Sequence, residues 1–312
     1  MKKFTDINDL KDLNTAIDEA IALKKNPRAH IALGEGKTVG LLFFNKSLRT
    51  RLSTQKAANN LGMDVMVMNF GDEAWNLEYE DGTIMETIRS EHVKEAAKVM
   101  SQYCDIICIR AFAGLENKAE DQAEPVLTNF IKYADAPIVN LESATGHPLQ
   151  ALADAITLKE QNTKKRPKVV LSWAPHPKAL PHAEAKSFIE MIRHQDADFC
   201  ITNPEGYDLD PEKTKGIEIY HNQEEALKDA DFVYVKNWCS FEDYGKVNIA
   251  TREWMMTKEK LGDAQFMHCL PIRRNIVAED AVLDSDQSLV IEQANNRTYS
   301  AQYVLKTLLE NL

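Results

Sequence analysis

The chain has 312 residues and a formal net charge of −11 at pH 7, with 44% hydrophobic and 27% charged residues. This length is sufficient for two globular domains, and the acidic balance argues against a nucleic-acid-binding protein. The N-terminus lacks the apolar segment of a signal peptide, no run reaches the roughly 20 apolar residues of a membrane span, and the five cysteines are scattered. We therefore expect a cytoplasmic protein with reduced thiols and with neither nucleic acid nor membrane as a partner.

Alternating helix and strand patterns occupy the first half of the chain. Apolar residues at helical spacing predict a helix over residues 7–25, with Asp6 or Asn8 as its cap. Further helices are predicted after Ser47 and over 91–100 and 125–133. Short apolar runs predict strands over residues 39–44, 64–70, 105–111 and 137–141. Strands that alternate with helices in this way are typical of a parallel sheet covered on both faces.

The same alternation is repeated after a long helix predicted over residues 147–159. Strands are predicted over residues 168–172, 198–202, 231–236 and 266–270. Helices are predicted over residues 183–193, 223–228 and 298–312. We therefore predict an α/β protein with two doubly wound parallel-sheet domains that meet near the helix at residue 147. In such folds, ligands bind at the carboxyl ends of the strands.

One stretch of the first half combines a strand, a turn and a helix start, and it reads KTVGLLFFNKSLRTRLSTQKAA from Lys37 to Ala58. Ser47 is a residue type that caps helices well, and Leu48, Leu52, Ala57 and Ala58 follow at helical spacing. The backbone N–H groups of a helix start attract anions, and Arg49 and Arg51 add planar donors that fit phosphate oxygens. The stretch predicts a phosphate site. The alternative is that both arginines lie on a solvated helix face.

Two later motifs accompany this helix start, H-P-L-Q at residues 147–150 and H-C-L-P-I-R-R at residues 268–274. Together with S-L-R-T-R at residues 47–51, their order and spacing resemble the aspartate/ornithine carbamoyltransferase family over essentially the whole chain. The segments at residues 236–238 and around Trp75 resemble its N-succinylornithine and N-acetylornithine branches in particular. This resemblance implies that no cofactor is needed. It also implies a carbamoyl-phosphate-binding domain of residues 1–148, with the C-terminal helix 296–312 packing back on it, and an acylornithine-binding domain of residues 149–295.

The family reaction is the attack of an amine on carbamoyl phosphate, which requires a held phosphate and a polarised carbonyl. The resemblance implies phosphate contacts from Ser47, Leu48, Arg49, Thr50 and Arg110. It implies that His147 and Gln150 contact the carbamoyl group, that Arg273 donates to its carbonyl oxygen, and that the Leu270 backbone carbonyl accepts from an amine. Pro271 predicts an extended backbone at Leu270. The alternative for His147 is a helix-start histidine whose ring is satisfied by backbone groups.

The acceptor pocket is predicted from the second half of the chain. Ornithine transcarbamylases carry an aspartate and an S-M-G loop where this chain has Val235 to Phe241, reading VKNWCSF. A lysine in place of the aspartate fits an acceptor whose α-amine is acylated. The resemblance implies that Lys236 pairs with the α-carboxylate and that Glu142 and His176 contact the rest. The alternative for Lys236 is a surface ion pair.

Cys269 is adjacent to His268, yet no activating base forms a recognisable constellation with it. The reaction needs no covalent intermediate, so we interpret Cys269 as lining the amine pocket. His268 is equally compatible with a structural hydrogen bond. No spacing among the histidines and cysteines predicts a metal site.

Trp75 lies in an acidic segment that resembles the family loop reaching into a neighbouring subunit, which implies a homotrimer with sites at subunit interfaces. Local packing is the alternative for Trp75. The segment Met85 to Ser90 is implied to enter the neighbour's acyl pocket. A neutral Ser90 beside Arg89, and Val277 where acetyl-type enzymes carry a modified lysine, favour a succinyl group, although succinyl-type relatives carry proline at position 90.

The predicted activity is therefore transfer of a carbamoyl group to N-succinyl-L-ornithine in arginine biosynthesis, with carbamoyl phosphate and an acylated ornithine as the small-molecule partners. Three alternatives are retained. N-acetyl-L-ornithine is the first, and a non-catalytic carbamoyltransferase-like binding subunit is the second. A nucleotide-binding α/β enzyme is the third, although no G-x-G-x-x-G motif follows a predicted strand.

Overall fold

The computed structural model describes residues 1–86, 88–247 and 252–312, which form two compact units. The first unit comprises Met1–Gly114, Ala119–Leu152 and Arg297–Leu312. The second comprises Leu115–Lys118 and Ala153–Asn296. Each unit is built on a parallel sheet, so the predicted α/β fold class is confirmed.

The first unit is built on a sheet with its apolar strands in the interior. Its strands are, in chain order, β1 (Thr38–Phe43), β2 (Asp64–Asn69), β3 (Leu77–Glu78), β4 (Glu91–His92), β5 (Ile106–Ala111) and β6 (Ile138–Ser143). Four of them form a parallel sheet in the order β2-β1-β5-β6, and β3 pairs with β4 alone. The central strands are almost wholly buried, whereas alternate residues of the edge strand β2 are exposed, which explains its alternating sequence.

The helices of this half of the chain lie where the sequence predicts them, apart from a short helix over residues 118–123 that it does not predict. They are α1 (Leu13–Lys25), α2 (Arg49–Asn60), α3 (Val93–Tyr103), α4 (Lys118–Ala123), α5 (Pro125–Tyr133) and α6 (Pro148–Gln161). The predicted helix over residues 7–25 is divided in two, because Asp6 caps a short 3₁₀ turn and Asp12 caps α1 by accepting the N–H of Thr15. Leu127 and Phe130 of α5 are buried in an apolar core with residues of α3 and β5.

The start of α2 differs from the prediction in two ways. Leu48, and not Ser47, occupies the N-cap position, and no side chain of the described residues caps the helix by a hydrogen bond. The buried face consists of Thr50, Thr54, Ala57 and Ala58, while Leu48 and Leu52 are 65% and 58% exposed. The helical period is therefore correct, and Ala57 and Ala58 are buried, but the buried face continues through Thr50 and Thr54 and leaves Leu48 and Leu52 exposed.

The second unit repeats the architecture with its own core. Its strands are β7 (Lys168–Trp173), β8 (Asp198–Thr202), β9 (Glu218–Tyr220), β10 (Phe232–Lys236) and β11 (Gln265–Met267). They are parallel, in the order β11-β10-β7-β8-β9. The predicted strand over residues 266–270 ends early at Met267, and the three residues after it form a turn.

Short helices connect the strands of the second unit, and a long one ends the chain. They are α7 (Ala183–Ile192), α8 (Pro211–Thr214), α9 (Gln223–Leu227), α10 (Lys258–Leu261), α11 (Asp280–Leu283) and α12 (Val290–Leu309). From Arg297 onwards α12 belongs to the first unit, where Ser300 donates to the carbonyl of Leu149 and Lys306 pairs with Glu19. This packing confirms that the C-terminal helix returns to the first domain. Among the described residues, no helix combines the length and hydropathy needed to cross a lipid bilayer.

Candidate active site

The first unit gathers polar residues at the carboxyl ends of three adjacent strands. β1 is followed by the turn to α2, and Arg110 and Glu142 are the penultimate residues of β5 and β6. Because the order of these strands is β1-β5-β6, their carboxyl ends lie side by side. Arg49 is half-buried at the first position of α2, and a helix start without a side-chain cap presents its backbone N–H groups to an anion.

The hydroxyl of Thr50 is buried and has a cationic neighbour. The guanidinium of Arg297 in α12 donates to Thr50 Oγ1 over 2.5 Å, and the Arg297 side chain is itself buried. Arg51 differs from Arg49, because its Nη1 donates to Asn69 Oδ1 at the end of β2 over 3.3 Å. The two arginines of the S-L-R-T-R segment therefore have different surroundings. Arg51 is bonded to the end of β2, whereas Arg49 is the first residue of α2.

Glu142 connects the arginine of β5 with the histidine that precedes α6. Its Oε2 atom accepts a hydrogen bond from Arg110 Nη1 and lies 3.4 Å from His147 Nε2. Glu142, His147 and Gln150 are each at most 4% exposed. The backbone N–H of Gln150 donates to the carbonyl of His147, so the first turn of α6 fixes the two side chains relative to one another. Four residues that were predicted separately thus form one buried cluster.

The loop between β6 and α6, which ends at His147, is held by its own hydrogen bonds. Glu124 Oε1 accepts from the Ser143 hydroxyl over 2.5 Å and from the Thr145 N–H over 2.8 Å. Asn140 Nδ2 donates to Ser143 Oγ over 2.9 Å. The short connection between β6 and α6 is therefore held on both sides, which restricts the direction of the His147 ring.

In the second unit, Lys236 at the end of β10 is buried and has a carboxylate partner. Its Nζ lies 3.0 Å from Oε1 of Glu184 in the first turn of α7, and Cys269 Sγ lies 3.9 Å from the same oxygen. Lys236 is 5% exposed and Glu184 is 8% exposed, so the predicted alternative of a surface ion pair is wrong, although an ion pair exists. Burial opposes the charge of Lys236, but Cys269 and Glu184 raise the pKa of the ammonium overall.

His176 and Arg273 lie together at the same edge of the second sheet. Arg273 Nε donates to His176 Nε2 over 3.1 Å, and His176 Nδ1 donates to the carbonyl of Lys178 over 2.8 Å. Because a guanidinium only donates and a carbonyl only accepts, these two bonds favour the neutral tautomer with a proton on Nδ1, although the N–H of Lys178 also lies 3.2 Å from Nδ1. Burial lowers the pKa of His176, and the charges of Arg273 and Lys236 act in the same direction, against the opposing hydrogen bond to Lys178.

The turn at residues 268–270 follows β11. The N–H of Leu270 donates to His268 Nδ1 over 2.8 Å, and the N–H of His268 donates to Gln293 Oε1 over 3.0 Å. His268 therefore has a structural hydrogen bond in this turn. The extended backbone predicted for Leu270 is wrong, because its φ is +56° and the following peptide bond to Pro271 is cis. Cys269, the middle residue of the turn, is buried, and burial raises the pKa of its thiol.

Trp75 and Ser90 lie in exposed parts of the first unit on either side of the buried strand β3 and its neighbouring residues. Trp75 is 56% exposed, and its indole N–H donates to Glu91 over 2.8 Å. Arg89 pairs with the buried Glu78 at 2.8 Å, so the charge of Arg89 is already compensated. Ser90 is exposed, and Thr87 of the predicted acyl-pocket segment lies outside the described residues.

The predicted site residues are therefore brought together in two sets. The first unit holds Ser47, Leu48, Arg49, Thr50, Arg110, Glu142, His147 and Gln150, with Trp75 and Ser90 in its exposed parts. The second holds His176, Lys236, Cys269, Leu270 and Arg273. Glu142 has Arg110 and His147 as neighbours, and its contact with the acceptor stays a prediction.

Sequence reasoning missed Glu184, Arg297 and Glu124. A lysine at the end of a buried strand requires a nearby anion, which signals that a partner such as Glu184 exists. The sequence does not identify which carboxylate it is. In the part of the chain that the structure describes, no three histidine, cysteine or acidic side chains are grouped as a metal ion would require.

Each of the two α/β units contains a parallel sheet, and arginine, histidine and lysine side chains lie at the strand ends. These features define a group-transfer enzyme for anionic substrates. Comparison with known proteins agrees with this class. Residues 2–160 match the aspartate/ornithine carbamoyltransferase carbamoyl-P binding domain, and residues 184–308 match the Asp/Orn binding domain of the same family. The chain belongs to the aspartate/ornithine carbamoyltransferase family, as the sequence motifs predict.

Full-length relatives support this membership. The chain is 47% identical to N-succinylornithine carbamoyltransferase of Bacteroides thetaiotaomicron, with 100% of both chains covered. It is 31% identical to N-acetylornithine carbamoyltransferase of Xylella fastidiosa, with 99% of this chain and 98% of the relative covered. A crystal structure of a glutamate-to-alanine variant of N-acetyl-L-ornithine transcarbamylase, complexed with carbamyl phosphate and N-succinyl-L-norvaline, has a TM-score of 0.91 at 30% identity, covering 99% of this chain and 100% of that one.

Proposed function

We propose that the protein transfers the carbamoyl group of carbamoyl phosphate to the δ-amine of N-succinyl-L-ornithine, giving N-succinyl-L-citrulline and phosphate in arginine biosynthesis. The choice of acceptor rests on the difference in sequence identity between this chain and its two kinds of relative. The chain is 47% identical over its full length to an N-succinylornithine carbamoyltransferase and only 31% identical to an N-acetylornithine carbamoyltransferase. The arrangement of both units supports the reaction, as follows.

The first unit binds carbamoyl phosphate in this proposal. The start of α2 and the side chains of Ser47, Arg49 and Thr50 hold the phosphate, together with Arg110. Two features support the assignment, the uncapped N-terminus of α2 and the adjacency of β1 and β5 in the sheet. Glu142 orients Arg110 and His147 through the contacts of its Oε2 atom.

His147 and Gln150 act on the carbamoyl group. One ring N–H of His147 donates to the carbonyl oxygen, and the Gln150 amide contacts the NH₂ group, so the carbonyl carbon becomes more electrophilic. Both side chains are buried, and hydrogen bonds to a developing negative charge are stronger away from bulk water. Arg273 supplies a further donor to the same oxygen.

The reaction is then a single displacement. The δ-amine attacks the carbonyl carbon, a C–N bond forms, and the C–O bond to phosphate breaks with its electron pair leaving on phosphate. The δ-amine has a solution pKa of ~10.4, so it must lose protons in the reaction. The δ-ammonium loses one proton to solvent before it attacks, and the second proton, which the nitrogen sheds as the C–N bond forms, goes to the departing phosphate that is released beside it.

The second unit binds the acylated ornithine. Lys236 contacts the α-carboxylate, His176 and Cys269 line the pocket, and the Leu270 carbonyl accepts from the amine. The pairing of Glu184 with Lys236 supports an acylated acceptor, because this carboxylate is already committed to a lysine and does not serve an α-ammonium group. Among the described residues that contact Lys236, Glu184 therefore offers no uncommitted carboxylate to the α-amine of free ornithine.

The succinyl group is favoured over acetyl by two residues that carry no charge. Ser90 is neutral and exposed, and Val277 is 2% exposed in the apolar core of the second unit. The bound succinyl analogue in the glutamate-to-alanine variant of a related transcarbamylase supports the view that loss of a negative charge admits this group. Arg89 is a weaker anion ligand than its position predicts, because Glu78 compensates its charge. N-acetyl-L-ornithine is therefore the alternative acceptor.

We also propose a cytoplasmic homotrimer with its sites at subunit interfaces. Leu48, Leu52, Trp75, Ile84 and Ile88 are 56–89% exposed, and a surface that another chain covers would bury such side chains where they form one patch. Five free, buried cysteines suit a reducing compartment.

Sedimentation equilibrium measures the mass of the assembly in solution and so tests the trimer. If Trp75 serves a neighbouring subunit, mixing inactive Trp75→Ala and Arg49→Ala proteins restores part of the activity, whereas no recovery contradicts shared sites.

The same proposal assigns residues 1–148 and 296–312 to the carbamoyl-phosphate-binding domain and residues 149–295 to the acylornithine-binding domain. The matches of residues 2–160 and 184–308 to the two family domains support it.

The test of the proposed function is ureido-product formation from carbamoyl phosphate with four separate acceptors, N-succinylornithine, N-acetylornithine, ornithine and aspartate. We expect turnover with N-succinylornithine. Preferred turnover with N-acetylornithine overturns the acyl-group assignment, and preferred turnover with ornithine overturns the interpretation of Lys236. No turnover with any acceptor supports the non-catalytic alternative.

A further inference from the structure

The ion pair between Lys236 and Glu184 is buried, and few other groups form hydrogen bonds with it. The Nζ atom of Lys236 lies 3.0 Å from Glu184 Oε1, and both side chains are more than nine-tenths buried. The second carboxylate oxygen, Glu184 Oε2, is buried and has no hydrogen-bond partner among the described residues. Because a buried charge is costly without compensation, each member of this pair depends on the other for its ionised form.

Cys269 does not supply the compensating negative charge. Its Sγ lies 3.9 Å from Glu184 Oε1, but burial raises the pKa of the thiol, which is therefore neutral at pH 7 and adds no negative charge beside Lys236. Tyr234 is also buried nearby, and burial raises its pKa as well, so its hydroxyl is neutral. The position of Glu184 in the first turn of α7 stabilises a negative charge there through the helix dipole. A second buried carboxylate, Asp154, raises the pKa values of Tyr234 and Cys269 and accepts from Gln293 Nε2 over 2.6 Å. Glu184 is the carboxylate that contacts Lys236 and keeps it charged.

We propose that Glu184 is a positioning residue for the acceptor, which fixes the Lys236 ammonium in direction and keeps it charged so that it binds the α-carboxylate. The proposal rests on the proposed function of Lys236. It has a consequence for the charge of the pocket. Since Lys236 and Glu184 are neutral as a pair, Lys236 directs the carboxylate without adding net positive charge to the pocket.

The test is the variant Glu184→Gln, which keeps the shape of the side chain and removes its charge. Without that charge, burial lowers the pKa of Lys236, so the lysine becomes neutral at a lower pH than in the unmodified protein. We measure kcat/KM for N-succinylornithine with saturating carbamoyl phosphate from about pH 6 to about pH 9.5, a range that brackets lowered lysine pKa values.

The quantity to plot is the ratio of kcat/KM in the unmodified protein to that in Glu184→Gln, because ionisation of the acceptor amine cancels in this ratio. We expect the ratio to rise with pH by about tenfold per pH unit above the lowered lysine pKa. The KM for carbamoyl phosphate should stay unchanged. A ratio that is constant across the pH range, or an equal loss toward both substrates, shows a merely structural role and overturns the proposal.

Two further variants control for charge and for folding. Glu190→Gln removes a carboxylate from the same helix, where Glu190 pairs with Lys213 at 3.5 Å, and it should leave both substrates' kinetics unchanged. Glu184→Asp retains the charge on a shorter side chain, so the KM for the acceptor should rise. The ratio of kcat/KM in the unmodified protein to that in Glu184→Asp should be independent of pH. If Glu184→Gln does not fold, a pH-dependent ratio in Glu184→Asp overturns the proposal. Absence of turnover in the unmodified protein refutes the proposed function instead.

Discussion

The substitution Glu142→Gln tests whether the buried cluster of the first unit is held together by charge. The side chains of Arg110 and Glu142 are only 12% and 6% exposed, so solvent screens this pair weakly. Exposed ion pairs contribute about 0–1 kcal/mol, but removing one partner of a buried pair costs about 3–5 kcal/mol, because the other charge remains buried. Glutamine keeps an acceptor oxygen for Arg110 and His147, so we expect the lower end, about 3 kcal/mol.

Hydrogen exchange measured by mass spectrometry resolves this loss by region. A decrease of about 3 kcal/mol in the free energy of opening accelerates exchange by ~150-fold. We expect this acceleration in peptides from β5 and β6, and little change in peptides from β7 and β10 of the second unit. The matched control is Glu35→Gln, an exposed position of the first unit, which should exchange like the unmodified protein. Acceleration below about tenfold in β5 and β6, equivalent to ~1.4 kcal/mol, contradicts the argument.

Three other changes test the roles of individual side chains. His147→Asn should lower kcat by ~10²–10³ with little effect on the acceptor KM, and a change confined to KM contradicts a role at the carbamoyl group. Cys269→Ala should retain kcat within about tenfold, since the reaction has no covalent intermediate, and its complete loss contradicts the displacement mechanism. Because the pKa of His176 is lowered, the ring is neutral near pH 7 and is protonated only in acid, where it can no longer accept from Arg273. We therefore expect kcat/KM to fall with decreasing pH through this pKa, and His176→Gln, which still offers an acceptor, should lack that acidic decline. Persistence of the decline in His176→Gln assigns it to another group.

The fold was predictable because its strands are short apolar runs with strong boundaries. β1, β5 and β7 are nearly all buried, so their sequences carry an uninterrupted apolar signal. Elements with a weak signal were missed or shortened. β9 has three residues, and β11 ends at Met267 because the next residues turn to place Leu270 in the left-handed region.

The motifs identified the residues of the site but not their partners. The sequence order of Arg110, Glu142 and His147 does not indicate that one carboxylate oxygen contacts both cations, since that depends on the register of β5 and β6, which shifts at Arg110. For Lys236, the burial of β10 predicts an anionic partner, yet many carboxylates of the second unit satisfy that requirement. Only the position of α7 selects Glu184.

The most direct test of the central claim is an internal competition between acceptors. Equal concentrations of N-succinylornithine, N-acetylornithine and ornithine are supplied together with limiting carbamoyl phosphate, and the three ureido products are quantified by mass spectrometry at low conversion. The product ratio equals the ratio of kcat/KM values and is independent of enzyme concentration. We predict that N-succinylcitrulline exceeds each of the other products by at least about tenfold, which corresponds to ~1.4 kcal/mol of discrimination in the transition state. An excess of N-acetylcitrulline or of citrulline contradicts the account.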